Sequence, residues 1–88
     1  MISKEVILMN KLGIHVRPAS LIAKTSSNYR SKFLIRKDSM EVNGKSVMGI
    51  MMLAAGHMAK LELIIDGVDE RELMDEIVSL FENKFGED

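Results

Sequence analysis

Residues 60–73 read KLELIIDGVDEREL, and this stretch decides the fold because it changes period in the middle. Leu61, Leu63 and Ile65 recur every second residue, which puts them on one face of a β-strand. Gly67 closes that strand. Beyond it, Asp69 and Glu72 stand at the spacing of a capping box, and Val68 and Leu73 at the positions of a hydrophobic staple. Leu73, Ile77, Leu80 and Phe81 continue at helical spacing as far as Gly86. A half-buried strand followed directly by an amphipathic helix requires a layer of each, so the fold is α+β.

Working outward from there, residues 2–9 alternate in part. Ile2, Val6 and Leu8 lie on one side and Ser3 and Glu5 on the other, while Ile7 and Met9 spoil strict polarity, as expected of a strand packed mainly on one face. Ala19, Ile22, Ala23 and Ser26 follow helical spacing, and Pro18 fits a first turn, where its missing N–H would have no partner. Arg17 precedes proline and is biased away from the helical region, so either the helix starts after it or the first turn carries strain. Ser26, Ser27, Asn28 and Ser31 end that helix. Residues 32–37 (KFLIRK) and 39–43 (SMEVN) predict two strands joined at Asp38, with Phe33, Ile35, Met40 and Val42 pointing inward. Asn43-Gly44 signals a turn that leads to Ser46, a preferred N-cap residue ahead of a short helix over 47–53 in which Ile50 and Leu53 face the core. The order is βαββαβα: a two-layer, open-faced β-sandwich in which three helices cover one face of a four-stranded, mainly antiparallel sheet, with residues 1–88 forming one domain.

Composition removes several function classes. A chain of 88 residues buries about 60–65% of its unfolded surface, enough for one modest core and not for a deep, enclosed active site. Twelve Lys and Arg against thirteen Asp and Glu give a net charge of -1 with no basic stripe, so nucleic acid is not an expected partner. There is no cysteine, and His15 and His57, the two histidines, lack metal-ligand spacing; no metal and no cofactor are expected. The start, MISKEVILMN, mixes acid and base within a short apolar run and reads neither as a signal peptide nor as a membrane span, which points to a cytoplasmic protein without membrane insertion. Eight methionines are many for this length. Met48, Met51 and Met52 do not all fit inside one short helix, so part of that segment forms an exposed surface suited to partners.

Two residues carry chemistry. His15, in GIHVRPAS at 13–20, stands before a helix start whose unpaired N–H groups and dipole favour an anion, and Arg17 adds a guanidinium two residues on. Imidazole titrates near neutrality and can act as a nucleophile, so a phosphoryl group on His15 would be met by donors without a metal. An ordinary turn histidine beside a solvated arginine explains the same short match. Ser46 likewise has two readings: an N-cap hydroxyl, or a site where a phosphate adds a charge of about −1.5 to −2 beside Val47, Met48 and Met51. No nucleophile elbow and no Gly-rich phosphate loop is present and no pocket for a phosphate donor is apparent, so if His15 is phosphorylated, another protein is expected to do it.

The residues at 13–20 together with NGKSVMGIMML at 43–53 resemble HPr, the histidine-containing phosphocarrier family of the bacterial phosphotransferase sugar-uptake system, and the likeness runs over nearly the whole chain. The resemblance implies the same open-faced sandwich and a carrier rather than an enzyme. It implies that His15 accepts a phosphoryl group from phosphorylated enzyme I and passes it to enzyme IIA domains, that Arg17 stabilises the phosphohistidine, and that Val47, Met48 and Met51 form part of the docking surface. In low-GC Gram-positive relatives the serine matching Ser46 is phosphorylated by HPr kinase/phosphorylase, and that form acts with the catabolite control protein; Lys45 and the methionines after Ser46 favour this version. Val16 replaces a common alanine, its bulk falling near His15. Met58 replaces a turn glycine, with Gly56 expected to take over the turn. Three alternatives remain: a regulatory HPr-like binding module, against which His15 argues; a phosphocarrier of the nitrogen-related branch with other partners; and a small stand-alone hydrolase, although no turnover of generic ester substrates is expected. A monomer suits serial docking.

Overall fold

The computed structural model describes residues 1–87. Its elements are β1 (Ile2–Ile7), α1 (Val16–Ser26), β2 (Lys32–Lys37), β3 (Met40–Asn43), α2 (Val47–Met52), β4 (Lys60–Asp66) and α3 (Glu70–Glu82), closed by a short 3₁₀ turn at Lys84–Gly86. The sheet order is β1-β4-β2-β3 and every pair is antiparallel. Three helices and a four-stranded open sheet thus make the expected sandwich, with all rather than most of its strand pairs antiparallel.

The register explains the core. Val6 faces Leu61, Phe33 faces Ile65 and Ile35 faces Leu63, so one side of the sheet is a continuous apolar layer. Ala19, Ile22 and Ala23 of α1, Ile50 of α2, and Leu73, Ile77 and Phe81 of α3 pack on it, all buried. Met74 and Val78 are buried too, which makes the α3 stripe wider than its spacing suggests. On the opposite side the sheet is open and charged: Arg36 pairs with Glu41 and Glu62, each at 3.0 Å. Exposed pairs of this kind contribute little to stability, so the fold rests on the apolar layer.

The structure corrects three sequence expectations here. Asp69 is the N-cap residue of α3 but makes no capping bond with its side chain. Its carboxylate accepts instead from the Arg30 and Ser31 N–H groups, both at 2.9 Å, and from the Ser31 hydroxyl, tying the α1–β2 loop to the helix start. These bonds, the Ser31 hydroxyl first, hold the Asp69 carboxyl at a pKa of about 2. Val68 is 85% exposed, so no staple with Leu73 forms; Glu70 accepts from Gly67 N–H at 3.1 Å and organises the turn itself. Met40 is 45% exposed, not inward, because alternation chooses a face but not its cover, and this residue sits at the hairpin tip opposite Lys37.

Gly44 is required for a reason that turn propensity does not reveal. A Cβ there would collide with the Phe33 ring, so the absence of a side chain lets the strand end close over the core. Among the described residues no helix is long and apolar enough to cross a membrane.

Candidate functional site

The site is built where the chain leaves β1. Leu8 and Met58 continue the β1–β4 pairing beyond the strands, with Met58 N–H donating to Leu8 C=O at 2.7 Å. To do so Met58 adopts φ +73°, so the methionine itself takes the left-handed turn conformation expected of Gly56. Gly13 turns the chain at φ +69°, and a Cβ there would lie 2.6 Å from the Ala55 carbonyl oxygen; only glycine passes so close. That approach lets Ile14 N–H reach the same carbonyl at 2.9 Å and delivers His15 to the mouth of α1.

His15 is the N-cap residue of α1, extended at φ −135°, yet its ring makes no capping bond. Its backbone carbonyl accepts from Ala19 N–H, so the helix is closed by the main chain and the imidazole is released for other contacts. The helix starts at Val16, before Arg17, and Pro18 fills the third helical position, where its missing N–H costs nothing. Val16 points its bulk outward, being 62% exposed.

The imidazole turns to the C-terminal tail, where Nε2 lies 2.9 Å from Glu87 Oε2. Arg17 Nη1 donates to the same oxygen at 3.2 Å and to the Phe85 carbonyl at 2.7 Å. The other oxygen of Glu87 accepts from Asn10 Nδ2 at 2.9 Å, and Asn10, fully buried, also donates to the Gly13 carbonyl at 2.8 Å. These contacts, Asn10 first and then His15 and Arg17, hold the Glu87 carboxyl below the usual carboxylate range. An ionised carboxylate only accepts, so Nε2 carries the hydrogen. In the neutral ring the remaining lone pair is therefore on Nδ1. The ring is 36% exposed, open enough for another protein to reach it.

The tail is held in place by packing. Phe85, at φ +57°, is buried with its ring edge-on to Phe81, centroids 5.0 Å apart. Neither Asn10 nor Glu87 was apparent in the sequence. An asparagine ahead of a glycine turn reads as loop chemistry, and an acidic residue beside a glycine near the chain end carries no periodic signal.

Ser46 lies apart. Its Oγ accepts from Gly49 N–H at 3.0 Å and caps α2, and among the described residues it shares no hydrogen bond or ion pair with His15 or Arg17. Beside it, Val47 is half-buried against the core, whereas Met48 is 77% exposed and Met51 and Met52 are exposed as well. His57 is an exposed loop residue.

Known proteins give this arrangement a context. A family model described as "PTS HPr component phosphorylation site" matches residues 2–83. The phosphocarrier protein HPr of Treponema pallidum is 43% identical over 88 residues, all of both chains. The crystal structure of HPr-C-His from Thermoanaerobacter tengcongensis superposes with a TM-score of 0.96 at 40% identity, covering 100% of this chain and 99% of that one. The HPr-like protein Crh of Halalkalibacterium halodurans is 37% identical over 84 residues, 96% of this chain and all of that one. With the open-faced sandwich and an accessible histidine at the start of α1, these matches place the chain in the HPr family of the phosphotransferase system.

Proposed function

We propose that this protein carries phosphoryl groups on His15 Nδ1, taking them from phosphorylated enzyme I and passing them to enzyme IIA domains. The observation that carries this reading is the half-exposed imidazole at the mouth of α1, bound by Glu87 through Nε2 and therefore presenting Nδ1. In the transfer, the Nδ1 lone pair forms the new N–P bond, while the bond from phosphorus to the donor nitrogen breaks and its electrons return to the donor. The first-turn N–H groups and the helix dipole favour the anion placed there. Arg17, spending Nη1 on the tail, retains Nη2 and Nε for the phosphoryl oxygens. The carrier has no turnover of its own; direction is set by which partner is docked.

Val47, Met48 and Met51 supply the docking surface on this reading. Their support is the exposure of Met48 and Met51 on the segment that follows Ser46, since methionine adapts to several partner shapes in succession. Phosphorylation of Ser46 by HPr kinase/phosphorylase would place a strong negative charge beside that surface and hinder docking, and this form would be the one that meets the catabolite control protein. A regulatory module like Crh is the second reading, favoured by the similarity to the Halalkalibacterium protein and disfavoured by the accessible His15. A carrier of the nitrogen-related branch would show the same chemistry with other partners.

The test is to incubate the protein with phosphoenolpyruvate and enzyme I and to measure intact mass before and after mild acid. One acid-labile phosphoryl group, absent from His15→Ala, is expected. No modification by an enzyme I that is active on a control HPr would favour the regulatory module, with HPr kinase and ATP as the next reagents.

A further inference from the structure

Outside the acceptor histidine, one titratable group is held in a way the fold does not need. Glu87 is joined to Asn10, His15 and Arg17, its side chain is 16% exposed, and it follows directly on a turn anchored by the buried Phe85. We propose that Glu87 is a positioning residue: its carboxylate holds His15 Nε2–H, fixes the Nε2-protonated tautomer, and so aims Nδ1 at the phosphoryl donor. This inference rests on the carrier reading above and adds to it a residue 72 positions away in the chain.

The chemistry of the contact set requires an acid at this point. Asn10 Nδ2 donates to Oε1, and His15 and Arg17 both approach Oε2, so each oxygen must accept. A carboxylate does this; a carboxamide offers one accepting oxygen and turns its own N–H groups on one of the donors. Asn10 is fully buried and also bound to Gly13, so it fixes where the carboxylate sits relative to the loop carrying His15. A neutral imidazole whose N–H is held by a carboxylate keeps one tautomer and one orientation, and the positive charge that develops on the ring is stabilised as it forms. When Nδ1 bonds to phosphorus, the proton on Nε2 stays there, facing Glu87. When the N–P bond breaks in the forward transfer, its electron pair returns to Nδ1 and the ring leaves as the same tautomer. One carboxylate therefore serves both directions.

Single-turnover phosphorylation by phosphorylated enzyme I, across a range of acceptor concentrations, tests this in the full chain with Glu87→Gln and Glu87→Ala, and with Glu82→Gln as a control at an exposed residue near the end of α3. The same proteins carry ¹⁵N-labelled histidine, so that the two ring nitrogens report the tautomer of the neutral ring. The expected result is a saturating rate lowered on the order of 10-fold in both Glu87 variants, as for a misaligned reacting group. Half-saturation should be unchanged, the Nε2–H tautomer of the wild type should become a mixture in Glu87→Ala, and Glu82→Gln should behave as wild type. An unchanged or faster saturating rate, or a loss confined to half-saturation with the tautomer intact, would overturn the proposal and leave the carrier reading standing. A wild-type protein that is not phosphorylated at all would remove both.

Discussion

The helices α1 and α2 begin with residues that do opposite things. At α2, Ser46 turns its hydroxyl back on its own helix and accepts from Gly49 N–H, three residues away. At α1, His15 holds the cap position but gives its helix only a backbone carbonyl, and its ring reaches out to Glu87. A side chain that closes its own helix is accounted for by folding. One that leaves the closing to the main chain, at a partly exposed position and with a charged partner from the far end of the chain, is available for chemistry. The start of α3 is intermediate: Asp69 ignores its own helix, but it uses its carboxylate to tie down a neighbouring loop.

Removing each group in turn sharpens this contrast. His15→Ala is expected to abolish phosphoryl acceptance from enzyme I while shifting stability by no more than about 0.5 kcal/mol, since the ring makes no capping bond. Comparing phosphorylation with urea denaturation of the same variant checks it, and a large loss of stability would make His15 a structural residue. Phe85→Ala removes a buried ring packed on Phe81 and should cost about 3 kcal/mol in urea denaturation while loosening the tail that carries Glu87. Ser46→Ala deletes a cap and should cost ~1 kcal/mol with His15 still phosphorylated at the wild-type rate. A lost rate there would mean that the two helix starts are not independent.

The smallest effect concerns Asp69 and acid. Its folded pKa, about 2, lies below the ordinary value of 3.8, so its contribution is present above pH 4 and is lost as pH falls toward 2. Asp69→Asn should therefore be less stable than wild type at neutral pH, with the gap narrowing between about pH 4 and pH 2, as followed by denaturation at a series of pH values. A gap that stayed constant over that range would show that the carboxylate's charge is not what holds the loop.

How much of this was legible in the sequence depended on how local each cause was. The alternation of KLELIID and the helical spacing after it set the sandwich, because burial on one face leaves a period in the chain. Ser46 as a cap was legible because its partner is three residues away. The same reasoning failed at Asp69, where residues 30 and 31 competed successfully for the carboxylate that the capping box assigned to the helix. It failed at Met58, which holds a positive φ that glycine would adopt more readily. His15 and Arg17 were recognisable as a pair, but what joins them, Glu87 delivered behind Phe85 and fixed by buried Asn10, is a matter of tertiary packing and leaves no spacing to read.

The most direct measurement is the position of the phosphoryl group after reaction with enzyme I and phosphoenolpyruvate, read from ³¹P and ¹⁵N spectra of histidine-labelled protein. The account predicts a single phosphoryl group on Nδ1 of His15, with Nε2 still protonated and facing Glu87. A phosphoryl group on Nε2, or on any residue other than His15, would contradict it.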